Sequence, residues 1–251
     1  MSPHQTGLSI FSLTGKTILV AGASRGIGFS IAEGLAQAGA NVIGFGRSPA
    51  ITSLLFRYEQ CDVLDHIRFT NLVDGCAKEN GAIHGYFHVA GITAPSEGEM
   101  QELNAFEETL SVNLTSAYSC CKHVSTHMIN QRLGSVVTVT SIGSILAFPN
   151  NPGYVASKGG LRMMSKAMAL DLGKFNIRVN SLVPGYIHTD MTHSSFNDPK
   201  KSAIRSERTM LGRWGETQDL IGAAIFLASD ASAYITGTDI IVDGGWTAKG
   251  L

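Results

Sequence analysis

Three polar residues in the second half of the chain could together move a proton to or from an alcohol or a ketone. Tyr154 and Lys158 are four positions apart, so a helix would place them on one face. A neighbouring ammonium group stabilises a phenolate and lowers the pKa of tyrosine from its ordinary value of about 10. Ser141 stands thirteen positions before Tyr154, and its hydroxyl could hold the substrate oxygen. These residues predict acid–base chemistry at a carbon–oxygen bond.

A glycine-rich segment near the start of the chain predicts a phosphate-binding turn. The apolar run 17–21 (TILVA) is followed by Gly22, Gly26 and Gly28, and then by a helical pattern. Glycines let the backbone approach a pyrophosphate, and the free N–H groups of a helix N-terminus hold the anion. Because these glycines stand between a predicted strand and a predicted helix, they indicate a dinucleotide site.

Two arginines predict which dinucleotide is preferred. Sites for NAD usually place an acidic side chain after the second strand, against the ribose 2′-hydroxyl. Here Gly46 stands at that position, Arg47 follows it, and Arg25 lies inside the glycine turn. Guanidinium groups bind phosphate in a bidentate manner. The sequence therefore predicts a preference for NADP(H), with NAD(H) as a possible second cofactor.

Strands and helices alternate along the chain and would hold these residues in place. Short apolar runs predict strands at 17–21, 41–45, 57–60, 84–89, 135–140, 177–183 and 240–242. The spacing of apolar residues predicts helices at 29–38, 65–79, 104–130, 153–172 and 217–228. This alternation predicts an α/β protein with a single-domain Rossmann fold, in which helices flank a doubly wound parallel sheet of about seven strands.

The domain is predicted to span residues 13–251, after a flexible N-terminal segment at 1–12. A substrate loop is predicted at about 186–212, where polar residues, proline and glycine are frequent. Only fourteen residues separate Arg47 from Asp62. We therefore expect a small helix or none in that connection.

The composition excludes several classes of function. The 251 residues carry a net charge of −1, so the basic surface of a nucleic-acid-binding protein is not expected. No apolar stretch approaches the roughly 18 residues of a membrane span, and the first sixteen residues do not form a signal-peptide pattern. The four cysteines lack metal-ligand spacing, and a reducing, cytoplasmic setting is expected. Charged residues make up only 16% of the chain, which suggests that some surface is covered in an oligomer.

The order of these features resembles the short-chain dehydrogenase/reductase family. The glycine turn, Asn113, Ser141, Tyr154 and Lys158 follow one another as in that family, and the resemblance extends from about Leu13 to Trp246. It implies an NAD(P)-dependent oxidoreductase that transfers a hydride between the cofactor and a carbonyl or secondary alcohol. It also implies a homotetramer, or otherwise a homodimer.

The resemblance assigns a role to each catalytic residue. Tyr154 would be the general acid/base, and Lys158 would lower its pKa and bind the nicotinamide ribose. Ser141 would orient and polarise the substrate carbonyl. Asn113 would hold a water molecule in the proton relay.

The cofactor-binding residues combine the glycine turn with segments that the resemblance points to. Asp62 and Val63 match a pair that contacts adenine, and the segment that begins at Pro184 matches one that grips the nicotinamide carboxamide. The full predicted set is Gly22, Ser24, Arg25, Gly26, Ile27, Gly28, Arg47, Asp62, Val63, Ala90, Gly91, Tyr154, Lys158, Pro184, Gly185, Ile187 and Thr189.

The chain departs from the family pattern in two places. Ala21 stands where a threonine is usual, and His88 and Val89 stand where two asparagines are usual. The missing amides would remove hydrogen bonds that tie strands together near the site. We therefore expect a lower stability or a lower cofactor affinity.

His123 and His127 are four positions apart on a predicted helix and could bind a metal ion. No glutamate follows His123 as in the H-E-x-x-H motif. We expect these histidines to lie at the surface or at a subunit interface, and we predict no metal site.

The C-terminal segments 212–215 and 242–246 resemble the sugar-acid branch of the family, which includes the gluconate 5-dehydrogenase and 2-deoxy-gluconate 3-dehydrogenase types. The expected substrate is therefore a keto-sugar acid or another small polar carbonyl compound. A 3-oxoacyl-(acyl-carrier-protein) reductase is an alternative, for which Lys122, His127 and Arg132 offer a modest basic patch. A non-catalytic dinucleotide-binding sensor or scaffold is a second alternative, suggested by the unusual His88. We expect no nucleic-acid or membrane partner.

Overall fold

The computed structural model describes residues 7–49, 51, 53, 55–96, 98 and 100–250. Across these residues the centre is a seven-stranded sheet whose neighbouring strands all pair in parallel. The strands are β1 (Thr17–Ala21), β2 (Asn41–Gly46), β3 (Arg57–Gln60), β4 (Gly85–His88), β5 (Gly134–Val139), β6 (Ile177–Pro184) and β7 (Asp239–Val242). The predicted doubly wound parallel sheet is confirmed.

The strand order opens a crevice at one edge of the sheet. The order is β3-β2-β1-β4-β5-β6-β7. Strands β2 and β3 therefore lie on one side of β1, and β4 to β7 lie on its other side. The last residues of these two strands, Ala21 and His88, are register partners. In open α/β sheets the connections diverge at such a reversal, and ligands bind outside the carboxyl ends of the strands.

Helices cover both faces of the sheet. They are α1 (Gly26–Gln37), α2 (His66–Asn80), α3 (Leu103–Leu110), α4 (Ser116–Gln131), α5 (Pro152–Leu172), α6 (His193–Phe196), α7 (Pro199–Arg208) and α8 (Ile221–Ala228). Short 3₁₀ segments lie at Gly7–Phe11, Ile142–Ser144, Gly173–Phe175, Asp190–Thr192, Thr217–Leu220 and Asp230–Ser232. None of the helices described here is both long and apolar enough to cross a membrane.

Two apolar cores hold these layers together. On one face, Ile31 of α1 and Leu227 of α8 pack with Val20 of β1. On the other face, Phe69 of α2 and Val124 of α4 belong to the second core, which also contains sheet residues. Every residue of β1 is buried, which explains its unbroken apolar run, because a parallel strand is covered on both faces.

The structure differs from the predicted elements in the long helix. The predicted helix at 104–130 consists of α3 and α4 joined by a π-helical turn, Ser111–Thr115. The turn shifts the hydrogen-bond register by one residue, and such shifts often mark functional sites. Asn113 lies in the middle of it.

The predicted substrate loop also contains helices, α6 and α7. Helix α7 begins after Asp198, whose carboxylate accepts hydrogen bonds from the backbone N–H groups of Lys200 and Lys201 at 3.1 and 3.0 Å. Pro199 occupies the first helical position, where its missing N–H and fixed φ are tolerated.

Two further predictions concern the N-terminal segment and the connection between Arg47 and Asp62. Residues 1–6 of the expected flexible segment lie outside the described residues, and Gly7–Phe11 forms a 3₁₀ turn without buried residues. None of the described residues between Arg47 and Asp62, other than those of β3, belongs to a helix or strand. This agrees with the expectation of a small helix or none there.

Candidate active site

A cavity of about 820 Å³ lies at the carboxyl ends of the strands. All seventeen predicted cofactor-binding residues line it, and so does Ser141. The other lining residues are Gly46, already considered at the acidic position of NAD sites, and eleven that sequence reasoning missed: Ser48, Cys61, Val89, Ile92, Thr93, Val112, Val139, Thr140, Asp190, Met191 and Thr192. Most of these are chain neighbours of predicted residues, so strand ends alone could have indicated them.

The glycine turn brings the N-terminus of α1 against the cavity without side chains in between. Gly22 has a φ of +90°, and a Cβ there would lie 2.6 Å from the backbone nitrogen of Ala90. A Cβ on Gly28 would lie 2.1 Å from the carbonyl oxygen of Gly22. Only glycine fits at these positions, because any side chain would displace backbone. Helix N–H groups and the helix dipole are therefore free to hold an anion here.

Two arginines lie at the end of the cavity next to β2 and β3, and a third lies in the glycine turn. Arg47 and Arg68 line a recess of about 340 Å³ together with Asp62. Arg25 is 72% exposed and lies 3.7 Å from a carboxylate oxygen of Asp190. Arg68 was not predicted, because it lies two positions into α2, where it looks like an ordinary surface residue. Arg47 and Arg68 line the same recess, and their guanidinium groups are suited to a phosphate group.

Packing around position 46 explains why a glycine stands there in place of the acidic residue of NAD sites. A Cβ at Gly46 would lie 2.8 Å from the Tyr58 hydroxyl and 3.1 Å from Cβ of Ser24. The Tyr58 hydroxyl in turn donates a hydrogen bond of 2.9 Å to the Ser48 carbonyl. An aspartate at position 46 would therefore displace Tyr58, so packing as well as charge disfavours a carboxylate here.

Ser141 and Tyr154 meet at the centre of the cavity wall. Ser141 follows β5, where its Oγ accepts a hydrogen bond of 3.0 Å from the Gly143 backbone N–H. Tyr154 lies in the first turn of α5. Burial raises the pKa of Tyr154, and a hydrogen bond from the Ser141 hydroxyl opposes this. The phenol and the hydroxyl can therefore contact the same substrate oxygen.

Lys158 is almost completely buried one turn after Tyr154. Its Nζ donates a hydrogen bond of 2.9 Å to the Val139 carbonyl and lies 5.8 Å from the centroid of the Tyr154 ring. Desolvation lowers the pKa of Lys158 to about 8. Burial is the largest cause of the raised pKa of Tyr154, and the expectation that Lys158 lowers this pKa stays a prediction.

Asn113 lies behind the cavity wall and does not line it. Its Oδ1 accepts a hydrogen bond of 2.7 Å from the Ile92 backbone N–H, and its Nδ2 donates to the Ile92 carbonyl at 2.9 Å. Nδ2 also donates to the Ser157 hydroxyl at 3.0 Å. The side chain thus ties the segment after β4 to α5. A Cβ on Gly91 would lie 3.1 Å from Oδ1 of Asn113 and 3.4 Å from Nζ of Lys158, so Gly91 allows these groups to lie close together.

An aromatic cluster stands beside the catalytic residues. The Tyr186 ring packs against Trp246 and Trp214, with ring centroids 4.8 and 5.5 Å apart. The guanidinium carbon of Arg205 lies 4.3 Å from the Tyr186 centroid. One guanidinium nitrogen of Arg205, Nη1, is buried and has no hydrogen-bond partner among the described residues. Tyr186 also raises the pKa of Tyr154 slightly through charge repulsion, which places this cluster near the phenol.

Comparison with known proteins identifies the family. Residues 22–247 match the model of a family described as enoyl-(acyl carrier protein) reductase. The chain belongs to the short-chain dehydrogenase/reductase family. It is an NAD(P)-dependent oxidoreductase of this family, whose named relatives act on alcohol or ketone groups.

Several relatives carry the name gluconate 5-dehydrogenase. The enzyme of that name from Gluconobacter oxydans (strain 621H) is 35% identical over 250 residues, which cover 96% of this chain and 98% of the relative. A crystal structure of a gluconate 5-dehydrogenase from Burkholderia cenocepacia J2315, in complex with NADP and tartrate, is 33% identical. Its TM-score is 0.92, and the match covers 97% of this chain and 99% of that one.

Another relative in the same family has a different substrate in its name. The 3-oxoacyl-(acyl-carrier-protein) reductase of Chlamydia trachomatis (serovar D) is 35% identical over 244 residues. The match covers 93% of this chain and 98% of that protein. Identity alone therefore does not separate the two substrate classes within the short-chain dehydrogenase/reductase family.

Proposed function

We propose that the protein is an NADP(H)-dependent reductase or dehydrogenase that interconverts a ketone and a secondary alcohol on a keto-sugar acid. The observation that carries the proposal is that Ser141, Tyr154 and Lys158 line the same cavity as the glycine turn. A dinucleotide held at the N-terminus of α1 would extend along the cavity toward Tyr154.

The proposed roles of the residues follow from their contacts. The nicotinamide supplies or accepts the hydride when the cofactor is bound. In the reduction direction, the Ser141 hydroxyl and the Tyr154 phenol hydrogen-bond the carbonyl oxygen, and the phenol gives it a proton. In the oxidation direction, Tyr154 accepts that proton. Asn113 fixes the position of the Ile92 segment relative to α5, which carries Tyr154.

Lys158 acts as a buried cation next to this proton transfer. With a pKa of about 8 it is mostly protonated at neutral pH. A positive charge near the phenol favours the phenolate in the oxidation direction. Its hydrogen bond to Val139 fixes the ammonium group at the end of β5, where a ribose hydroxyl could also receive a hydrogen bond.

The preference for NADP(H) rests on the cations next to β2. Arg47 and Arg68 line one recess, Arg25 lies in the glycine turn, and Gly46 stands where NAD sites place an acidic residue. A 2′-phosphate carries about two negative charges near neutral pH and pairs well with guanidinium groups. NAD(H) lacks that phosphate and would not make this contact with the guanidinium groups.

The proposal of an acidic sugar substrate rests on Arg205. Its buried Nη1 has no hydrogen-bond partner among the residues that the structure describes, and a substrate carboxylate would supply one. The relative from Burkholderia cenocepacia was crystallised with tartrate, a small hydroxy acid, and NADP. Tyr186 and Trp246 lie outside the residues that line the cavity, and the packing of Tyr186 against Trp246 and against Arg205 would hold the guanidinium group in place.

The experiment that tests the proposal is NADPH oxidation with a panel of carbonyl compounds. The panel contains 5-keto-D-gluconate, a neutral ketose, a diketone and an acetoacetyl thioester. We expect the highest kcat/KM with 5-keto-D-gluconate. Highest activity with the thioester would instead assign the protein to the 3-oxoacyl alternative, which the Chlamydia trachomatis relative favours. Tight NADPH binding without any turnover would support the sensor or scaffold.

We further propose that the protein forms a homotetramer in the cytoplasm. Large apolar side chains on α4 and α5 face solvent: Tyr118 is 50% exposed, Met163 60% and Leu170 84%. Such residues are covered by a second copy in many oligomers. Light scattering coupled to gel filtration measures the mass, and a monomer would contradict this part of the proposal.

A further inference from the structure

A cluster of three side chains lies on the surface of α2 and α4, outside the cavity. Asp74 of α2 faces His123 and His127 of α4, and the Nε2 atoms of the two histidines lie 2.9 and 2.7 Å from the same oxygen, Oδ1 of Asp74. One nitrogen or oxygen atom of each residue lies within 4.8 Å of the others. None of the three lines the cavity.

Helix geometry holds the three atoms together. His123 and His127 are one helical turn apart and therefore lie on the same face of α4. Buried residues of the same two helices, such as Val73 and Val124, pack into one core. This packing fixes the distance between Asp74 and the histidine pair. Because Asp74 precedes His123 by 49 positions, sequence spacing could not indicate the third member.

The cluster is partly covered and partly open to water. The side chains of His123 and His127 are 25% and 27% exposed, and that of Asp74 is 51% exposed. The two imidazole rings meet nearly at right angles, with an interplanar angle of 83°, so that both Nε2 atoms can be directed at one point. The open side leaves room for water molecules to complete a coordination sphere.

The donor set matches a particular class of ion. Two imidazole nitrogens and one carboxylate oxygen suit Zn²⁺ and neighbouring divalent transition metals, whereas Mg²⁺ and Ca²⁺ prefer oxygen ligands. Zinc sites with three protein ligands keep a water in the fourth position. Bonds of about 2.0–2.1 Å in tetrahedral geometry place ligand atoms about 3.4 Å apart, so the present contacts of 2.9 and 2.7 Å would need to open by about 0.5–0.7 Å. Small side-chain rotations achieve that.

We propose that Asp74, His123 and His127 form a binding site for a divalent transition-metal ion, with Zn²⁺ as the expected ion and water as the remaining ligand. The ion would link α2 to α4 and stabilise the folded chain. This inference does not depend on the proposed substrate or cofactor. It departs from the prediction made from the sequence, which gave the two histidines a surface or interface role and no metal site.

The test is titration of the metal-stripped, tag-free protein with ZnCl₂ by isothermal calorimetry, together with thermal unfolding. We expect one Zn²⁺ per chain with micromolar or tighter affinity. At a hundredfold excess over Kd, the unfolding temperature should rise by about 5–10 °C. CoCl₂ should give a visible absorption band at the same stoichiometry. Absence of stoichiometric Zn²⁺ binding would overturn the proposal.

Matched variants separate a metal site from a hydrogen-bonded cluster. His127→Gln and Asp74→Asn should each weaken Zn²⁺ binding at least tenfold and remove the metal-dependent rise in unfolding temperature. His66→Gln is the control, because His66 is exposed at the start of α2 and lies outside the cluster. If the two cluster variants lower the unfolding temperature but keep the parent's response to Zn²⁺, the ion binds elsewhere and the assignment is wrong. NADPH oxidation should be unchanged in all three.

Discussion

The phenol oxygen of Tyr86 and Nδ1 of His88 lie 2.8 Å apart, and both side chains are fully buried. They point to the same face of β4, because alternate residues of a strand share a face. Nε2 of His88 is also buried and has no partner among the described residues. Burial lowers the pKa of His88 to about 3, and the nearby Lys158 adds to this effect. His88 is therefore a neutral hydrogen-bonding residue in place of the usual asparagine.

The Tyr86–His88 pair should stabilise the strand that carries the cofactor-binding segment. We expect Tyr86→Phe and His88→Leu each to lower the free energy of unfolding by about 1–3 kcal/mol, because each leaves a buried polar atom without its partner. The double variant should cost less than the sum, since it removes both atoms. Chemical denaturation of the four proteins measures this cycle. Strictly additive losses would show that the hydrogen bond contributes nothing.

His88 should also make the protein sensitive to acid. The pKa of His88 in the folded protein, about 3, lies below the ordinary value of about 6.5, so the unfolded chain takes up a proton between these values and the folded chain does not. Stability is therefore lost as the pH falls from about 6.5 toward 3. As the pH falls, the unfolding free energy of His88→Leu should decrease less steeply than that of the parent. The difference between the two slopes should reach up to about 1.4 kcal/mol per pH unit. Tyr86→Phe retains the histidine and should retain the parent's slope.

Tyr154 should affect turnover far more than it affects cofactor binding. Removal of its hydroxyl in Tyr154→Phe removes the proton donor, and we expect kcat to fall at least 100-fold. Ser141→Ala should lower kcat to a smaller extent, because the phenol still contacts the carbonyl oxygen. NADPH affinity, measured by fluorescence quenching, should change by less than about threefold in both variants. Parent-like turnover by Tyr154→Phe would refute the proposed mechanism.

The arginine cluster next to β2 should determine the choice of cofactor. Arg47→Ala and Arg68→Ala should each raise the KM for NADPH about 10–100-fold, because each removes a charge-assisted contact with the 2′-phosphate. The KM for NADH should change less than threefold. Arg57→Ala is the control, because Arg57 pairs with Glu59 and Glu79 on the surface. An equal increase in KM for both cofactors would mean that these arginines do not bind the 2′-phosphate.

Much of the fold and of the cavity could be predicted, because both depend on local patterns. The run TILVA is buried on both sides in β1, and the glycines that follow it lie where a Cβ would meet backbone. The π-helical turn around Asn113 could not be predicted, since a one-residue shift in hydrogen-bond register leaves little trace in the spacing of apolar residues. Asp198 and Pro199 are typical of a helix start and could have predicted α7. The many charged residues of this segment made it look like a loop.

Other parts of the site depend on contacts between distant segments, and these cannot be read from spacing. Arg68 reaches the recess because α2 begins beside the end of β3. Asp74 meets His127 because α2 packs on α4. The pKa of Tyr154 is raised, chiefly because the fold removes the phenol from water. The four-residue spacing to Lys158 does not contain that information.

Arg205 should determine the preference for acidic substrates. In Arg205→Met we expect the KM for 5-keto-D-gluconate to rise about 10–100-fold, because the substrate carboxylate loses a charge-assisted contact. The kcat should change less, since Arg205 does not contact Ser141 or Tyr154 in the structure. A neutral ketose should be reduced as well as before. Lys200→Met is the control, because Lys200 is exposed on the same helix. Equal losses for the acidic and the neutral substrate would show that Arg205 only supports the packing of Tyr186 and Trp214, and the carboxylate assignment would then be wrong.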